Sequence, residues 1–188
     1  MTAFYDNRLT ENFHQEAIAL DTNVLSSLFL DKMYWEDFMN IFSANQLLID
    51  PIVKLEFLRG AFRVNAYEEQ SKFLTSHRFT SMADNHDIQT KIYEHVFNVA
   101  RIYSHQGNPS IPLGDIFIIA RLAVYDQSVL FLTRDYGDFD TMLFDRKAIV
   151  SIERKLRNKL GPPEIVEHIQ ILQFNHEKYQ VCLDTLPK

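Results

Sequence analysis

Ala17-Ile18-Ala19-Leu20-Asp21-Thr22-Asn23 is the stretch whose reading decides the fold. Four apolar residues run together without polar alternation, which is how a strand reads when both its faces are buried in a parallel sheet. The run stops at Asp21, so a carboxylate stands at the strand's C-terminal end. Ligands of open α/β sheets bind in the crevice beyond those ends. Asp21 or Thr22 is also well suited to capping the helix that follows. The choice between ligand and cap turns on whether carboxylates recur downstream in matching positions.

Val129–Leu132 is another continuous apolar run, and it leads into Thr133-Arg134-Asp135-Tyr136-Gly137-Asp138-Phe139-Asp140. Asp135, Asp138 and Asp140 therefore cluster just past a strand end, as Asp21 does. Asp140 could instead cap a helix through Thr141–Phe144. Between the two runs lies a short strand candidate, Gln46–Ile49, followed by Pro51, which suits the first position of a helix. That helix is expected over Pro51–Arg59, with Gly60 as its C-cap. Glu56 shares a face with Ile52 and Val53, and a carboxylate on an inward face is costly to bury without a partner. Neither Lys54 nor Arg59 stands at the spacing of a helical ion pair with it. The breaker-rich loop Gly107–Gly114 then opens a helix that is apolar nearly all round and so should be buried. Asp115 lies in its first turn, as an N-cap or as a carboxylate aimed into a site.

The remaining elements follow from periodicity. Val24–Leu30, Tyr34–Phe42, Tyr67–Ser76 and Asp84–Tyr103 read as helices, with Trp35, Phe38, Met39 and Phe42 turned to the core. Phe79–Ser81 reads as a connecting segment and Ala148–Ile152 as a last strand. Ile169–Phe174 and Tyr179–Leu186 fit either a hairpin around Asn175-His176-Glu177 or a helix. Gly161-Pro162-Pro163 is a break. The expected organisation is a lead-in over 1–16, a domain over 17–152 and a separable C-terminal extension over 153–188.

Composition narrows the class. The chain has 188 residues, 46% hydrophobic and 23% charged, as a single globular domain would. Its one cysteine, Cys182, cannot form an intramolecular disulfide, which fits a reducing compartment. Residues 1–16 carry no apolar core of a signal peptide, and Ile116–Tyr125 is too short to span a bilayer. A cytoplasmic location away from membranes is expected. The net charge of −6 argues against an extensive non-specific nucleic-acid surface. It does not argue against acidic residues grouped around a cation. The one basic concentration comprises Arg146, Lys147, Arg154, Lys155, Arg157 and Lys159, a solvated face or a contact for RNA phosphates or an acidic partner. His77, His86, His95 and His105 show no zinc-ligand spacing.

Apolar strands alternating with helices predict an α/β fold with a mostly parallel sheet. In it Asp21, Glu56, Asp115 and one of Asp135 or Asp138 would meet at one sheet edge. Such a group cannot all ionise together without a cation. Hard oxygen ligands suit Mg²⁺ or Mn²⁺, and such ions can activate water in phosphodiester hydrolysis.

These segments, in this order across residues 17–152, resemble the PIN-domain nucleases. The resemblance rests on Asp21-Thr22-Asn23-Val24-Leu25, on Glu56 in Leu-Glu-Phe-Leu-Arg-Gly, on Gly114-Asp115-Ile116-Phe117-Ile118, and on Thr133-Arg-Asp-Tyr-Gly-Asp-Phe. It implies a PIN-like three-layer fold, a central sheet flanked by helices, and metal-dependent ribonuclease activity. Asp21, Glu56 and Asp115 would be the principal catalytic and metal-binding residues, completed by Asp135 or Asp138, with Asn23 and Thr133 in support. Apart from the resemblance, Arg134, with Arg154, Lys155 and Arg157 of the basic run, is the candidate contact for nucleic acid. Many bacterial members look like the toxin halves of toxin–antitoxin pairs, so an antitoxin partner and a homodimer are implied beside the RNA substrate. This chain is longer than the compact toxins. A haloacid-dehalogenase-like phosphatase would need an acid where Asn23 stands, and a receiver domain would need paired acids at its first strand end. The alternative from another class is a PIN-like module that docks RNA or protein without turnover.

Overall fold

Strands built from unbroken apolar runs have to be interior, and the computed structural model places them so. It describes residues 3–4, 13, 16–63, 65–76, 79–106, 109–125, 128–135, 137–139, 141–154 and 165–187, with the backbone alone at 3–4, 63, 153–154 and 165–166. The strands are β1 (Ala3–Phe4), β2 (Ala17–Leu20), β3 (Gln46–Ile49), β4 (Phe79–Ser81), β5 (Val129–Thr133), β6 (Phe144–Arg154) and β7 (Ile165–Phe174). The helices are α1 (Thr22–Leu30), α2 (Lys32–Phe42), α3 (Pro51–Arg63), α4 (Tyr67–Ser76), α5 (His86–Gln106), α6 (Leu113–Tyr125) and α7 (His176–Asp184). One seven-stranded sheet runs in the order β1-β6-β7-β5-β2-β3-β4, and helices flank it.

The parallel block β5-β2-β3-β4 is the α/β part, with Leu20 level with Leu132 on one side and with Ile49 on the other. Every residue of β5 is buried, as are Ile18, Ala19 and Leu20 of β2. Register matters because it brings the C-terminal ends of β2, β3 and β5 to one edge, with Asp21, Asp50 and Thr133 side by side. β7 runs antiparallel to β5 and to β6, so β6 regains the direction of the parallel block. Among the described residues no helix is long and apolar enough to cross a membrane.

Several local expectations are corrected. α3 does not stop at Gly60 but continues to Arg63; Gly60 costs helix propensity without ending the helix. Phe79–Ser81 is an edge strand parallel to β3. Thr141–Leu143 form a turn leading straight into β6, so no helix follows Asp140, which itself lies outside the described residues. Asn175-His176-Glu177 does not turn a hairpin. Asn175 caps α7, its side chain accepting from the Lys178 N–H at 3.0 Å.

The largest correction concerns the expected boundary at 152. It falls inside β6, and β7 is inserted between β5 and β6 with Ile169, Ile171, Leu172 and Phe174 in the core. An interior strand buried on both faces cannot be a separable addition.

Arg121, which interrupts the apolar run of α6, is a buried cation. Its Nε meets Asp50 Oδ2 at 2.6 Å, and its Nη2 meets Asp84 Oδ1 at 2.9 Å. Its Nη1 donates to the Ala83 carbonyl at 2.9 Å. A charge is tolerated in a core only when paired and hydrogen-bonded, and Arg121 fastens α6 to the ends of β3 and β4. Asp50 also caps α3, accepting from the Ile52 N–H at 2.6 Å. Burial pushes its carboxyl up from the ordinary range, against the pull of Arg121.

Candidate metal centre

Asp21 ends β2 and caps α1, so the two alternatives read from the sequence are one arrangement. Its Oδ1 accepts from the Thr22 N–H at 2.6 Å, and its Oδ2 accepts from Asn23 Nδ2 at 2.7 Å and Thr133 Oγ1 at 2.5 Å. Asn23 also donates to Thr133 Oγ1 at 3.3 Å, and its Oδ1 accepts from the Arg134 N–H at 3.0 Å. Asn23 and Thr133 thus tie the end of β2 to the end of β5 and fix the direction of Asp21.

Glu56 stands half-buried on α3. Its Oε2 accepts from Thr22 Oγ1 at 2.7 Å. Thr22 is the residue the sequence reading missed: taken only as a cap candidate, it orients Glu56 toward Asp21. The signal was its place directly after the strand-end aspartate.

Asp115 enters from the first turn of α6. A Cβ built on its neighbour Gly114 would lie 2.7 Å from Glu56 Oε1, so the missing side chain leaves the room that Glu56 fills. Asp135 lies past β5, where its Oδ1 accepts from the N–H groups of Gly137 at 2.7 Å and Asp138 at 3.1 Å. The Asp138 carbonyl accepts from the Tyr103 hydroxyl at 2.9 Å.

The charges act on one another. Asp115 is pushed up to about 7 from 3.8, first by burial and then by Asp21, Asp138, Glu56 and Asp135. Asp21 is pushed up to about 6 from 3.8, chiefly by burial, with Glu56 and Asp135 adding to it and its hydrogen bonds opposing. Five carboxylates from four parts of the chain therefore share one electrostatic neighbourhood. Among the described residues, no three acidic, histidine or cysteine side chains are arranged to hold a metal ion between them. The donor set nevertheless fits a hard divalent cation: oxygen ligands only, too many negative charges for their own stability, and a glycine cradle beside Glu56.

Gly114→Ala should separate site from fold. Alanine favours the helix by up to about 1 kcal/mol, while its methyl displaces the flexible end of Glu56. The expected result is a melting temperature within about 3 °C of wild type and a roughly 10-fold loss of Mn²⁺ affinity. Melting and calorimetric titration check both; unchanged affinity would remove Glu56 from the ligand set.

The basic candidates fare differently. Arg134 turns inward, its Nη1 donating to Ser27 Oγ at 2.6 Å and pairing with Glu167 Oε2 at 3.3 Å. Arg154 is described by its backbone in β6 alone, and Lys155 and Arg157 lie outside the described residues. Arg146 and Lys147 sit on β6 at a register shift, with Lys147 Nζ 3.9 Å from Asp145.

Comparison with known proteins gives one family. A model described as "PIN domain" matches residues 18–144. Among curated proteins no match was found. Among solved structures, one similar chain is that of VapBC2 from Rickettsia felis bound to a DNA fragment from its promoter. The two share 17% identity over 56% of this chain and 79% of that one, with a TM-score of 0.41.

Proposed function

The chain belongs to the PIN domain family, in general a family of nucleases, and from that premise we propose that it is a divalent-metal-dependent ribonuclease. The observation that carries this reading is the charge coupling of Asp21, Glu56, Asp115, Asp135 and Asp138, with two of them displaced toward neutrality. Asp21, Glu56 and Asp135 each keep a local hydrogen-bond partner, yet the charges of the group also act on one another, which isolated caps and surface acids would not do.

Asp21, Glu56, Asp115 and one of Asp135 or Asp138 would hold Mg²⁺ or Mn²⁺. Such an ion supplies an activated water and offsets charge on the leaving oxygen. Asn23 and Thr133 hold Asp21 in one direction, and Thr22 does the same for Glu56. Asp115 is pushed up to about 7, so near neutral pH it still holds a proton that a bound cation has to displace. A toxin role, with an antitoxin partner and a homodimer in the cytoplasm, belongs to the same reading.

The test is incubation with single-stranded and structured RNAs in Mg²⁺, Mn²⁺ or EDTA. Cleavage that needs the metal and falls by at least about 100-fold in Asp115→Asn is expected. Cleavage that persists in EDTA would reject the reading, and metal binding without any cleavage would favour the docking module.

A further inference from the structure

We propose that β7 supplies the positioning residues of the metal centre: Gln170 fixes the Asp135 backbone, Glu167 fixes the Arg134 side chain before it, and together they keep the Asp135 carboxylate among its partners. The inference rests on the nuclease reading.

Buried polar side chains in an interior strand need a cause, since each is costly without a hydrogen bond. β7 carries two, Glu167 and Gln170, 7% and 4% exposed. Both reach the segment just past β5. Gln170 is level with Thr133, and its Nε2 donates to the Asp135 carbonyl at 2.9 Å. Glu167 pairs with Arg134 and accepts from Ser27 Oγ at 3.4 Å. The Asp135 N–H donates to Thr133 Oγ1 at 2.9 Å, and the Arg134 N–H to Asn23. The backbone on either side of the Arg134–Asp135 peptide is therefore held, with one anchor, Gln170, from β7, while Glu167 holds the Arg134 guanidinium.

Among the described residues, five of the seven buried polar ones, Asp21, Ser27, Thr133, Glu167 and Gln170, belong to this one network. The other two, Asp50 and Arg121, pair with each other. Interior polarity is thus concentrated where the carboxylates are supported. Asp135 has no ladder to hold it, because β5 ends at Thr133. The anchors lie beyond residue 144, where the family match ends, so this chain's own C-terminal strand completes the support. Outer partners of metal ligands are worth about 10- to 100-fold in affinity.

The test compares wild type, Gln170→Met and Glu167→Gln by three readouts. Gln170→Met keeps the shape and removes the donor; Glu167→Gln keeps the contact to Ser27 and removes the charge. In Gln170→Met, amide exchange at Arg134, Asp135, Gly137 and Asp138 should speed up while β2 and β3 stay protected. Mn²⁺ affinity by calorimetry should fall about 10-fold. The kcat for RNA cleavage should fall with KM unchanged, a split that simple loss of stability would not produce well below the melting point. Glu167→Gln should repeat the pattern more weakly. Unchanged exchange past β5, or faster exchange with wild-type Mn²⁺ affinity, would overturn the positioning role. A wild type that binds no Mn²⁺ would overturn the nuclease reading and this role together, and is recognised because the wild-type arm itself fails.

Discussion

A chain truncated after Leu160 is expected not to fold. The cut removes β7 and α7, and with them Ile169, Ile171, Leu172, Phe174, Tyr179, Cys182 and Leu186 from the core. Each buried apolar side chain of this size contributes roughly 1.5–3 kcal/mol, so together they reach the whole stability of a domain, about 5–15 kcal/mol. The cut also leaves β5 and β6 with bare facing edges where β7 ran between them, a template for aggregation. Circular dichroism and size exclusion should find insoluble or non-cooperative material. A soluble fragment with a cooperative melt would mean that β5 and β6 can close without the intervening strand.

The second large effect is electrostatic. Asp115 and Asp21 have folded-state values of about 7 and about 6, against 3.8 for the free carboxyl. Over that window the folded chain holds protons that the unfolded chain has lost. Stability is therefore greatest below pH 4 for these two groups and falls as pH rises through about 6 and then 7. Asp115→Asn removes the larger displacement. Because Asp115 is only half-buried, solvent screens much of it, and the gain at pH 8 is about 1 kcal/mol, or about 3 °C in melting temperature. At pH 4 the two proteins should melt together. An Asp115→Asn protein that melts below wild type at pH 8, with EDTA present, would show that the Asp115 charge stabilises the first turn of α6 and is not one of a repelling set. Asp21→Asn is not an equivalent test. Its Oδ2 accepts from both Asn23 and Thr133, and an amide nitrogen placed there would face the Asn23 amide donor. That substitution should lower stability even as it removes charge.

What could be read from the sequence, and what could not, has a physical pattern. β2 and β5 were legible because strands buried on both faces carry unbroken apolar runs. Asp21 and the acids past β5 were legible because they interrupt those runs. Glu56 stood out as a carboxylate on an apolar helix face. β7 was ambiguous because Glu167, His168 and Gln170 interrupt it, and the reason that two of these are buried lies in Arg134 and Asp135, more than 30 residues away. Arg121 interrupts an apolar helix for the same reason: its partners Asp50 and Asp84 are set by register, which no local pattern encodes. The boundary at 152 followed from the end of the family resemblance there, with Gly161-Pro162-Pro163 taken as support, yet a break between strands marks a connection as readily as a domain end.

The most direct measurement is a calorimetric titration of Mn²⁺ into the wild type and into Asp115→Asn at pH 6.5, each in two buffers of different ionisation heat. Metal can bind only the deprotonated carboxylates. With Asp115 at about 7 and Asp21 at about 6, the wild type should bind Mn²⁺ and release roughly one proton per ion, and Asp115→Asn should lose most of both the binding and the proton. A wild type that takes up no Mn²⁺, or one whose affinity and proton release are matched by Asp115→Asn, would contradict the assignment of these carboxylates to a metal centre.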